Sequence, residues 1–572
     1  MAITQAQLEQ REILLSQDYA DFIVAYGGNA DSVEEKYQPD SYEIVNSGFM
    51  VIHKKLTEDG IEMMDAYPYN LIPEVQGLLD TTSMEESGIL SVHDRPGPGY
   101  LGQGVLVGVI DTGIDYTHSA FQFSDGTSRI LSIWDQTIQS DQIPKSFPYG
   151  TLYTQEELNR ALKSDAPFDS VPTRDTDGHG TFIAGIMAGS QDDTNDFIGA
   201  APEASIAVVK LKPAKEYLRE YYVLPQEALA YQETDVFMAI QHLINESIAY
   251  QMPLVICLGI GNTLNSHEGT SNLSQYLNAI NNLAGLCVVI AAGNELGRAH
   301  HYSGNVAEKD ATHTVELKVG EQERGFQMEI WGGLSDVFSI EIISPEGERI
   351  TRGQSGFGQP LRVKLLFEET EIFIANKSEG LTSGRFLMVV QLRRPTPGIW
   401  TFRLYGENII NGNFDVWLPM EKFMNSETIF LNPDPDQTVT SVATTSSTLT
   451  IANYNHYNDS LYVRSSRGYT SSGIIKPDVT APGVRVYGPV PGGRYDYRTG
   501  SSVSAAHAAG AAALLFEWGL FGAMFLNMDG SDVRRMLILG SDQKEGILFP
   551  NKGWGYGTIN LQNTFETLRM LR

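Results

Sequence analysis

Three short segments carry residue types that act together in nucleophilic catalysis. In VLVGVIDTGIDYTHSAF an apolar run ends on Asp111. In DTDGHGTFIAGIMAG, His179 lies between Gly178 and Gly180 and opens an Ala/Gly-rich stretch. In TGSSVSAAHAAGAAALL, Ser502 opens a second such stretch. Taken singly, each has an ordinary structural explanation. An Asp at a strand end caps a loop, a lone His packs or faces solvent, and Gly-Ser-Ser before a helix supplies an N-cap. Taken together they are an acid, a base and a nucleophile. A serine hydroxyl is a weak nucleophile until a general base removes its proton. The imidazole in turn needs a carboxylate to fix its tautomer and stabilise its positive form. Asp, His, Ser is one of the chain orders in which such a triad occurs. A fourth segment, VVIAAGNELG, puts Asn294 just beyond an apolar run. There its amide can donate to an oxyanion beside the backbone N–H of Ser502 at a helix start. The Gly-x-Ser-x-Gly elbow is absent around Ser502, which argues against an esterase-like hydrolase.

These groups need a scaffold that brings distant segments to one edge. VLVGVID (105–111), SIAVVKL (205–211), PLVICLG (253–259) and CVVIAAG (287–293) are near-continuous apolar runs, as expected of parallel strands covered on both faces. Residues 235–250 carry Val236, Ile240, Leu243, Ile244 and Ile248 at helical spacing. Alternating strands and helices predict a doubly wound α/β domain, and Asp111 falls at a strand's C-terminal end, where such sheets place their sites. Residues 305–436 read differently: about eight short alternating strands divided by turn signals, an all-β jelly roll or sandwich inserted in the α/β domain. The first 76 residues form a small α+β module, with a helix over 4–17 and strands at 21–26 and within 42–56. The resulting division is 1–76, 77–304, 305–436 and 437–572.

The chain has 572 residues, 42% of them hydrophobic and 19% charged, an ordinary globular composition for several domains. Forty Lys and Arg against 70 Asp and Glu give a formal charge of −30, which argues against nucleic acid as a partner. Cys257 and Cys287 lie in apolar runs and read as buried free thiols. The apolar stretch 505–526 is long enough to span a bilayer but is interrupted by His507 and Glu517, so a buried helix is expected rather than a membrane span. No secretory signal is visible at the N-terminus, which points to a cytoplasmic or spore-retained protein.

The four segments together resemble the subtilisin family. DTGID matches its Asp segment, HGT-x-x-A-G its His segment, AAGN its oxyanion segment and GSS-x-S-A its Ser segment. SSRG (465–468), KPDVTAPG (476–483) and GWGYGTIN (553–560) match further family segments. The resemblance covers about 79–304 and 437–572. It implies a subtilisin-like fold and a serine endopeptidase with Asp111 orienting the imidazole, His179 as base then acid, Ser502 as nucleophile and Asn294 as oxyanion donor. It also implies that Leu258, Gly259, Ile260, Gly261, Ala291, Ala292 and Gly293 line a peptide groove. The Ser segment departs from the family pattern at Ser501, Ser504 and Ala506, all small residues. A carboxylate that often binds calcium is replaced by Ala120, and the acidic segment 191–196 reads as a solvated turn, so no metal or cofactor is expected.

The layout narrows the resemblance to the clostridial germination proteases, the Csp group. This implies that residues 1–76 are a prodomain acting as an intramolecular chaperone, bound in cis and cleaved somewhere in 63–79. It implies a protein substrate, the zymogen of a spore-cortex lytic enzyme. The alternative is a catalytically silent relative that serves as a binding or germinant-sensing module.

Overall fold

The computed structural model describes residues 13, 19–25, 29–44, 49–55, 82–93 and 99–570, apart from 146, 148, 334, 353–359, 379–384, 523–524 and 526. The chain divides into two compact units, Met1–Leu78 and Leu79–Arg572. In the first, strand Phe49–Lys55 lies between Tyr19–Ala25 and Ser41–Ile44, antiparallel to both. Helix Ala30–Tyr37 starts at Asn29, whose side chain accepts from the N–H of Ser32 at 3.3 Å, an ordinary N-cap. Phe22, Val24, Val33, Met50 and Ile52 form its small core. Most of the expected helix over 4–17, and the expected cleavage region 63–79, lie outside the described residues.

The second unit is built on six parallel strands: β1 (Leu106–Asp111), β2 (Ile130–Asp135), β3 (Ser205–Lys210), β4 (Leu254–Leu258), β5 (Leu286–Ala291) and β6 (Leu449–Asn455). Their order in the sheet is β6-β5-β4-β1-β3-β2. Thr151–Thr154 is an antiparallel edge strand beside β2, and Val479–Pro482 pairs parallel with β6. Alternation along the strands assigns the faces. Val107, Val109, Val208, Val255, Cys257 and Val289 pack with helices α1 (His179–Ala188) and α3 (Ser501–Phe516). Leu106, Ile110, Val209, Ile256, Leu258 and Ile290 pack on the other face with Val236, Ala239, Ile240 and Leu243 of α2 (Glu233–Tyr250). Helices on both faces remove the apolar strand side chains from water, at about 1.5–3 kcal/mol for each large aliphatic side chain. Ile248, expected on the buried side of α2, is 69% exposed in its last turn.

Between β5 and β6 the chain leaves the sheet and, among the described residues, builds eleven antiparallel strands, from His301–Asn305 to Ile429–Phe430. They form a six-stranded and a five-stranded sheet that share one core, including Phe326, Phe338, Trp400, Phe402 and Phe414. The first strand begins four residues before the expected boundary at 305. The apolar helix Ser501–Phe521 meets the length and hydropathy needed to cross a membrane, but 89% of its most apolar window is buried in the fold. Cys257 and Cys287 are free and buried.

Candidate active site

Asp111 is the last residue of β1, the strand whose neighbours β3 and β4 carry the chain off in opposite directions. Such a switch point leaves a crevice beyond the strand ends. Asp111 is 1% exposed. Both its carboxylate oxygens lie 2.8 Å from His179 Nδ1. His179 Nε2 lies 2.9 Å from Ser502 Oγ. Segments 68 and 323 residues apart thus meet in one chain of hydrogen bonds. Burial opposes charge on both Asp111 and His179. Their mutual attraction and hydrogen bond outweigh it, holding the carboxyl below its usual range and the imidazole above its usual 6.5.

The two helices are held at their ends. The Asp175 carboxylate, 5% exposed, accepts from the N–H of Gly178 (2.8 Å) and Thr181 (2.8 Å) and from the Thr181 hydroxyl (2.7 Å). It therefore caps α1, where a negative charge also suits the helix dipole. Thr112 ties this cap to the end of β1. Its hydroxyl donates to Asp175 at 2.8 Å and accepts from the Gly180 N–H at 2.9 Å. At the other end of α1, buried Arg129 donates to the carbonyl of Ala188 at 2.6 Å. Burial lowers its pKa to about 10, which leaves it a cation at neutral pH. Neither Asp175 nor Arg129 was singled out from the sequence. An Asp four residues ahead of His179 is a helix-start signal, whereas nothing in a sequence marks an Arg that satisfies carbonyls.

Asn294 stands just past β5. Its Oδ1 accepts from the Ser501 N–H at 3.0 Å, which turns Nδ2 toward Ser502. A Cβ added to Gly500 would lie 3.5 Å from Ser502 Oγ and 3.7 Å from Asn294 Nδ2, so both groups border one point. Ser501 Oγ accepts from the Gly293 N–H at 3.1 Å, and buried Ser466, from the SSRG segment, accepts from the Glu295 N–H at 3.0 Å. Gly293 has φ +108°, a conformation that selects glycine.

Of the residues expected along a groove, Leu258, Ala291, Ala292 and Gly293 are buried, whereas Gly259, Ile260 and Gly261 are half-buried at the end of β4. Gly259 abuts the triad itself. A Cβ there would come within 3.2 Å of His179 Cε1 and of Ser502 Cβ. Ala120 is buried. In the 191–196 segment, Asp192 accepts from Tyr495 Oη (2.9 Å) and Asn195 Nδ2 (2.9 Å), hydrogen bonds that close the turn.

A carboxylate, imidazole and hydroxyl in this geometry can move a proton from Ser502 to His179 while Asp111 steadies the cation. The Subtilase family model matches residues 102–324 and 412–557 of this chain, interrupted within the antiparallel strands. The CspB protease of Clostridium perfringens is 30% identical, with a TM-score of 0.75, over 86% of this chain and 98% of that one. Subtilisin-like protease SBT3 of Solanum lycopersicum is 24% identical over 90% of this chain and 69% of its own length. The PII-type proteinase of Lacticaseibacillus paracasei is 35% identical over 20% of this chain, a match spanning 6% of that relative. With a family match over more than half its length and a subtilisin-like α/β sheet, this chain belongs to the subtilase family of serine proteases.

Proposed function

We propose that the chain is a serine endopeptidase in which Ser502 attacks the scissile carbonyl, His179 takes the hydroxyl proton and returns it to the leaving amine, and Asp111 stabilises the imidazolium. Asn294 Nδ2 and the backbone N–H of Ser502 hold the oxyanion. One such donor contributes about 10²–10³-fold in enzymes of the subtilisin type. The observation that carries this reading is the unbroken hydrogen-bond chain Asp111–His179–Ser502 at 2.8 and 2.9 Å. The N-terminal unit acts as a prodomain released by self-cleavage between 63 and 79. The similarity to the CspB protease supports a role in spore germination, with the zymogen of a cortex-lytic enzyme as substrate. Gly259, Ile260 and Gly261 border the bound peptide through their backbone.

Treatment with a fluorophosphonate probe tests the mechanism. The parent and Ser501→Ala label, and Ser502→Ala does not. Folded parent protein that stays unlabelled would favour a silent binding module. N-terminal sequencing tests the processing step, and a uniformly intact N-terminus in a labelled preparation would refute it.

A further inference from the structure

Residues Leu418–Phe423, between the sandwich strands Asn413–Trp417 and Ile429–Phe430, run between two loops that flank the triad. On one side, Thr263 Oγ1, two residues beyond Gly261, donates to the Leu418 carbonyl at 2.8 Å. On the other, the Glu421 N–H donates at 3.2 Å to the carboxylate of Glu295, the residue after Asn294. The Leu418 N–H also donates to the His300 carbonyl at 2.9 Å. The segment is thereby held between the end of β4, beside Gly259, and the end of β5, beside the oxyanion amide.

Its charges are unequally used. Glu421 is neutralised by Arg298 and, at 3.7 Å, by Arg464. Lys422, the next residue, is exposed, and among the described residues it forms no ion pair. We propose that Lys422 selects substrates carrying an acidic side chain close to the scissile bond. Lys422 directly follows Glu421, whose N–H is fixed to Glu295 next to Asn294, so its backbone is anchored beside the cleft. In a chain of net charge −30, acidic peptides are repelled over most of the surface, so an unpaired cation beside the cleft is where one acidic side chain gains an attraction. The inference rests on the endopeptidase reading of the same site.

The test reads binding rather than turnover. Three random peptide pools, identical except for one fixed Glu, Gln or Lys, compete for self-processed protein blocked at Ser502 with a small fluorophosphonate, against a fluorescein-labelled pool. The Glu pool is expected to bind about threefold to fivefold tighter than the Gln pool at low salt, the range of an exposed ion pair, and less so as salt rises. Lys422→Gln removes the difference, and Lys422→Glu reverses it in favour of the Lys pool. Lys364→Glu makes the same charge change on the sandwich strand Leu361–Lys364 and leaves the order unchanged. A ratio unmoved by the Lys422 variants, an equal shift from Lys364→Glu, or no binding by any pool overturns the assignment. Fluorophosphonate labelling of the parent decides the enzyme reading separately, so either can fail alone.

Discussion

Adjacent serines at the start of α3 face different partners. Ser502 Oγ meets His179, while Ser501 Oγ accepts the Gly293 N–H and its own N–H reaches Asn294. Ser501→Ala thus leaves a buried donor unsatisfied, at about 1–3 kcal/mol, with the nucleophile in place. On the proposed mechanism the imidazole sets the pH response. His179 must be neutral to accept a proton, and its pKa is held above the ordinary imidazole value. Activity is therefore expected to rise with pH through a midpoint above about 6.5. Asp177 is among the groups that raise it, so Asp177→Asn is expected to move the midpoint of kcat/KM downward. An upward or absent movement would contradict this electrostatic account. That Asp111, His179, Ser502 and Asn294 would come together was legible because each sits in a short local motif. Asp175 and Arg129 were less so, because their function lies in hydrogen bonds to backbone from other segments.

Among the elements, α3 governs how closely the triad can assemble. All sixteen of its residues are buried, and eleven of the sixteen in SSVSAAHAAGAAALLF are Ala, Gly or Ser. Interaxial distance follows the size of the contacting side chains. At Gly510 a Cβ would lie 2.3 Å from Ala200 Cβ and 2.8 Å from the Met187 carbonyl near the end of α1. Gly510→Ala is expected to cost about 1–3 kcal/mol by overpacking and to slow Ser502 labelling as α3 shifts from α1. Unchanged melting and labelling would mean that the contact yields freely. The strands β1, β3, β4 and β5 were legible as apolar runs. β6 was not, because buried Thr450 and Asn453 break its apolar pattern. The Thr450 hydroxyl donates to the Ala443 carbonyl and the Asn453 amide nitrogen to the Gly483 carbonyl, partners no local pattern announces.

For the whole molecule, the insertion was legible as a change of strand period near residue 305, but its docking was not. That docking depends on single polar contacts, such as Glu329 accepting the Asn265 N–H at 2.8 Å, between segments 64 residues apart. The charge of −30 acts over the same scale. Many of the ion pairs are solvent-exposed, for example Arg324–Glu227 and Arg394–Glu371, and such pairs contribute little each. The excess of like charge therefore dominates, and it opposes the compact state. Raising ionic strength from about 10 mM to about 150 mM shortens the screening length from about 30 Å to about 8 Å, which weakens repulsion between distant carboxylates more than attraction within contact pairs. Melting temperature is expected to rise over this interval, by about 1 °C for each kcal/mol of repulsion removed from a chain of this length. A fall would mean that the contact pairs, rather than the net charge, set the electrostatic balance of the fold.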